Sequence, residues 1–146
     1  MEYTTNHCKL RGILPKKYNQ LLSLLQYLFS GSPVNKMLFE DMSGCEWEEL
    51  WALASDQGVM VISLEGIKNS DIKPNEIVLM KWFGYVNIIE NKYKKHLTLA
   101  KELTDFWAHK GIKTMVFKGL ALCQYYPNPS QREFGDIVIF STLIEI

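Results

Sequence analysis

Cysteine is scarce in this chain of 146 residues. Cys8, Cys45 and Cys123 are odd in number, widely spaced and free of any C-x-x-C pair, which argues against both a disulfide framework and a zinc site. Three reduced thiols fit the cytoplasmic location we expect. Net charge is absent as well. The 16 Lys and Arg balance the 16 Asp and Glu, so no global field recruits nucleic acid or an anionic membrane. Long apolar runs are missing: Val59 to Ser63 and Ile77 to Met80 fall far below the ~20 residues that span a bilayer. The start, MEYTTNHCKLRG, has no basic segment followed by an apolar run, and so does not read as a secretory signal. Internal repeats, low-complexity tracts and linkers are also lacking.

What is present is an ordinary globular composition, 47% hydrophobic and 22% charged, which excludes a largely disordered chain. The length suits one domain with a real core. Four Trp, seven Tyr and seven Phe enrich that core.

Most of the chain reads as helix. Between Tyr18 and Phe29 the residues Leu21, Leu22, Leu24, Leu25, Leu28 and Phe29 fit helical spacing, and Gly31 with Pro33 stops the run. Ser43-Gly44-Cys45-Glu46-Trp47 opens a second helix with acid in its first turn, where the helix dipole favours it. Trp47, Leu50, Trp51 and Ala54 form its apolar face, and Gly58 is placed to close it. Val59 to Leu64 is apolar throughout, so periodicity cannot separate a strand from a buried helix; we lean to a buried turn or short helix. A long helix is expected from about Pro74, as its first residue, to Lys110. Leu79, Trp82, Val86, Ile89, Tyr93, Leu97, Ala100, Leu103 and Trp107 make one apolar stripe along it, with Gly111 as terminator. Lys92, Lys94, Lys95 and Lys101 lie mostly off the stripe. Interleaving with Glu90, Glu102 and Asp105 makes them a solvated face rather than a polyanion patch.

The chemistry-bearing stretch runs from Ile112 to Phe140. Ile112 to Phe117 reads as a strand, Lys118-Gly119 as a tight turn, Leu120 to Tyr126 as a short helix broken by Pro127 and Pro129, and Gly135 to Phe140 as a second strand. A glycine at the strand end lets the backbone approach a ligand, and the next amides with Lys118 suit an anion. Arg132 brings a planar fork of donors fit for phosphate. Asp136, beginning an apolar strand, suits a divalent cation shared with phosphate oxygens. Taken singly, each residue has a plain structural reading: a common turn, an ordinary loop arginine, a carboxylate capping the turn.

Together, Lys118-Gly119-Leu120-Ala121-Leu122, Tyr125-Tyr126-Pro127, Pro129, Arg132 and Gly135-Asp136-Ile137 with Ile139-Phe140 resemble the core motif of the uncharacterised bacterial nucleotidyltransferase family, within the DNA polymerase beta-like superfamily. The helical front part is similar to that family's N-terminal region, with Trp47 to Val59 matching its Trp-rich helix. The resemblance implies nucleotide phosphates on Lys118, Gly119 and Arg132, and Asp136 as catalytic metal ligand for Mg²⁺. It also implies a nucleoside triphosphate as substrate and an α+β fold: helical residues 1–111, then the first strand-helix-strand unit of a nucleotidyltransferase-like core, with the unit incomplete.

The family's second strand carries two Asp at alternate positions, about 6 to 7 Å apart on one face. Here Val138 occupies the second position, and Glu145 is the one acid that follows. The expectation is therefore either an amino-terminal piece of a longer enzyme or a degenerate member, with little or no transfer activity. A non-catalytic helical interaction module is the alternative. For a piece that lacks the strands that follow, self-association through the exposed edge of the strand Ile137 to Ile146, or a helix from the front part covering that edge, is expected.

Overall fold

Side-chain caps open two of the helices, those that begin at Gly44 and Glu76, in a computed structural model that describes residues 14–143. Helix α1 (Lys16–Ser30) ends at Gly31. A 3₁₀ turn at Lys36–Leu38 precedes α2 (Gly44–Asp56), α3 (Met60–Lys68) and the long α4 (Glu76–Ala108). Strand β1 (Ile112–Phe117), α5 (Gly119–Leu122), 3₁₀ turns at Cys123–Tyr125 and Pro129–Gln131, and β2 (Val138–Leu143) complete the order. This is the expected α+β architecture. Cys8 and Glu145 lie outside the described residues.

The chain divides into two compact units, Met1–Trp82 and Phe83–Ile146, with the boundary inside α4. In the first, α3 is the central element. Met60, Val61, Ile62, Ser63, Leu64, Gly66 and Ile67 are all buried, which is why no periodicity marked Val59 to Leu64 as helix. A Cβ on Gly66 would stand 2.9 Å from the carbonyl oxygen of Leu24, so α1 and α3 meet almost backbone to backbone. Leu21, Leu24, Trp47, Leu50, Ala54 and Val78 are buried in the same unit, while Phe29 and Leu22 stay exposed on α1. Trp82 is fully buried, and its Nε1 donates to the Met60 carbonyl at 3.0 Å.

A capping box opens α2: Ser43 Oγ accepts from Glu46 N at 3.3 Å, and Glu46 Oε2 accepts from Ser43 N at 2.8 Å. The start of α4 differs from the expected Pro74. Asn75 Oδ1 accepts from Val78 N at 2.9 Å, and this cap moves the first helical residue to Glu76. At 33 residues α4 is about 50 Å long.

In the second unit, Val86 and Ala100 of α4 are buried, but Leu97 is 50% exposed and Trp107 37%. The stripe is thus only partly covered. Gly111, at φ 72°, supplies the left-handed turn out of α4 into β1. Strands β1 and β2 pair antiparallel, from Ile112 with Leu143 to Phe117 with Val138. Phe134, in the loop before β2, packs edge-on against Tyr93 and beside His96, at ring-centre distances of 6.5 and 5.2 Å.

Candidate functional site

The site is built where the β1–β2 ladder stops. Phe117 and Val138 are its last pair. Lys118 then takes φ 59° and ψ −131°, a left-handed backbone that a lysine adopts at a cost of about 1–3 kcal/mol. That turn leads the chain out of the ladder and into α5. Asp136 and Ile137 are therefore left outside β2, so Asp136 sits two residues before the strand and not on its first residue. The helix is also shorter than the expected Leu120 to Tyr126: four residues of α5, then a 3₁₀ turn before Pro127.

Gly119 is the point of closest approach. A Cβ there would lie 3.0 Å from the Asp136 carbonyl oxygen and 3.1 Å from Cβ of Phe134. On the side where its Cβ would stand, Gly119 faces the loop that carries Asp136. Lys118, Gly119 and Asp136 are consequently gathered at one end of the sheet. The side chains of Lys118 and Asp136 are exposed, and neither enters an ion pair among the described residues.

Arg132 follows the 3₁₀ turn Pro129–Gln131, which Asn128 caps by accepting from Ser130 N at 3.1 Å. Its guanidinium lies over the Tyr126 ring, 5.9 Å from the centroid. The same charge reaches Cys123. Burial pushes the Cys123 thiol above its ordinary range, and Arg132 works against that shift. Cys123 Sγ donates to the Gly119 carbonyl at 3.4 Å. Arg132 thus braces the α5 side of the turn, and no ion pair joins it to Asp136 among the described residues.

Strand alternation passed over Glu133. Half-buried and next to Arg132, its carboxylate accepts from the Tyr85 hydroxyl of α4 at 3.5 Å. An acid flanked by Arg132 and Phe134 was the available signal. A separate open groove of about 580 Å³, lined by Tyr93, Leu97, Ala100, Val116, Leu120 and neighbours, excludes Lys118, Gly119, Arg132 and Asp136.

The donor set decides what metal chemistry fits. The Val138 side chain offers no donor where the two-ion pattern needs a second carboxylate, and no group of three His, Cys, Asp or Glu is arranged for a metal among the described residues. A two-ion site does not fit these residues. A single carboxylate that shares Mg²⁺ with phosphate oxygens does fit Asp136.

No curated protein and no solved structure matches the chain. A family model described as uncharacterised nucleotidyltransferase matches residues 43–141, from the Ser43 cap of α2 into β2. That span is more than half of the chain and contains every candidate site residue, so the chain belongs to this uncharacterised nucleotidyltransferase family.

Proposed function

We propose that the chain binds a nucleoside triphosphate with one Mg²⁺ ion at the end of its sheet. Lys118 and Arg132 supply positive charge to the phosphates, the backbone at Gly119 lies beside them, and Asp136 is the carboxylate ligand of the ion. The observation that supports this reading is the close packing of Gly119 on the Asp136 main chain, whose carbonyl oxygen lies 3.0 Å from where a Cβ would stand, in a member of a nucleotidyltransferase family. It joins the two segments that such a site requires.

In this reading a complete site moves a nucleoside monophosphate from the triphosphate to an acceptor hydroxyl, with pyrophosphate leaving. With Val138 beside Asp136, binding is retained and transfer is slight or absent. Titration calorimetry with ATP and Mg²⁺ tests the binding. Heat of binding is expected from the unaltered chain and its loss in Lys118→Ala and Asp136→Ala. Absence of binding by the unaltered chain, or binding indifferent to both substitutions, overturns the proposal and favours a non-catalytic interaction module.

A further inference from the structure

We infer that Phe134 is the positioning residue for Asp136: helix α4 holds its ring, and the ring holds in place the segment that carries the proposed ion ligand. The inference rests on the reading of Asp136 given above. Glu133 and Phe134 both lean on α4. The Tyr85 hydroxyl donates to the Glu133 carboxylate at 3.5 Å, and the ring centres of Tyr93 and His96 lie 6.5 and 5.2 Å from that of Phe134. At 3.6 residues per turn, Tyr85, Tyr93 and His96 fall within about 80° of one another around the helix. One face of α4 therefore meets both loop residues.

On its other side Phe134 meets the turn. A Cβ at Gly119 would stand 3.1 Å from Cβ and 3.2 Å from Cδ2 of Phe134, so this side chain is wedged between α4 and the Lys118-Gly119 turn. Withdrawing the half-buried ring would expose apolar surface and break its contacts with Tyr93 and His96.

Asp136 depends on that wedge because of where the sheet stops. The ladder holds the chain only from Val138 onward, where it pairs with Phe117. Asp136 stands two residues from that rung and two from Phe134, midway between the anchors. Gly135, the link from Phe134 to Asp136, is exposed and has nothing within 4 Å of where a Cβ would stand. It adds no packing, and a glycine backbone is freer than any other. With the Phe134 ring gone, the Gly119 turn loses the side chain it packs on and the segment is held from its β2 end alone.

ATP titrations of Phe134→Ala, run in Mg²⁺ and in a chelator, test this role. Displacing the ion ligand should weaken binding in Mg²⁺ about tenfold and binding in the chelator less than about twofold. The ratio of the two affinities therefore falls, whereas a merely structural role lowers the folded fraction and leaves the ratio unchanged. His96→Ala, which removes one ring contact on α4, should lower the ratio about threefold. Backbone amide NMR order parameters, measured without nucleotide, should be about 0.85 at Gly135, Asp136 and Ile137 in the unaltered chain and below about 0.6 in Phe134→Ala. Should Phe134→Ala fail to fold, His96→Ala carries both measurements. An unchanged ratio in a folded variant, or order parameters that do not fall, overturns the inference and leaves the nucleotide reading standing. Absence of binding by the unaltered chain overturns the nucleotide reading, and the order parameters then decide alone whether Phe134 anchors the segment.

Discussion

Gly119 is the residue on which the site's geometry turns. Any side chain there meets a backbone carbonyl, the group least able to move aside, together with the Phe134 side chain. Phe134 is in turn held by Tyr93 and His96, so relief by a simple rotamer change is closed off. Gly119→Ala should cost about 1–3 kcal/mol, as overpacking does. Gly135→Ala, with nothing within 4 Å of the added atom, should stay within about 0.5 kcal/mol of the parent. Urea midpoints of the two variants check the contrast, and equal midpoints would remove the packing explanation. The spacing of Lys118, Gly119 and Asp136 was legible in the sequence because strand, turn and strand signals surround them. The contact of Gly119 with the Asp136 carbonyl was not, since a glycine facing a ligand and one facing its own chain look alike in sequence.

Elements were legible where local chemistry sets them. Ser43 with Glu46 three residues on announces α2, and Gly31 and Gly111 end α1 and α4 as read. The failures are tertiary. α3 is buried at every position but Glu65 and Lys68, so its apolar residues show no helical period, and the α4 stripe is open at Leu97 and Trp107 although its spacing never falters. Asp136 fell outside β2 because Lys118 leaves the ladder, which alternation cannot foresee. The capping box yields a pH prediction. The hydrogen bond from the Ser43 backbone, then that from Lys16, lowers the Glu46 carboxyl from 4.5 to about 2. A depressed folded pKa means stability fully present above about pH 4.5 and lost as pH falls toward 2. The urea midpoint should therefore fall less steeply across that window in Glu46→Gln than in the parent. Ser43→Ala should cost about 1 kcal/mol at neutral pH. Parallel acid profiles for Glu46→Gln and parent would show that this carboxylate does not govern the response.

At the scale of the whole molecule, a balanced charge leaves any polyanion binding to local groups, and in the proposed site the position to test is one without charge. Val138 is half-buried and pairs with Phe117 at the last rung of the ladder. An aspartate there would stand two residues from Asp136, about 6 to 7 Å along an extended chain. A carboxylate acting on a divalent ion at about 6 Å in a water-like dielectric contributes about 1.4 kcal/mol, a factor of ten. Val138→Asp should therefore tighten Mg²⁺-dependent ATP binding at least about tenfold, with no change when the titration is run in a chelator. Transfer of label from ATP should remain slight in the unaltered chain, where Val138 stands in place of the second Asp of the family pattern. Robust turnover by the unaltered 146-residue chain would overturn the role given to Val138, and so would unchanged affinity in a folded Val138→Asp variant. A tightened, magnesium-dependent affinity in Val138→Asp, beside slight turnover by the unaltered chain, is the outcome that the single-carboxylate site requires.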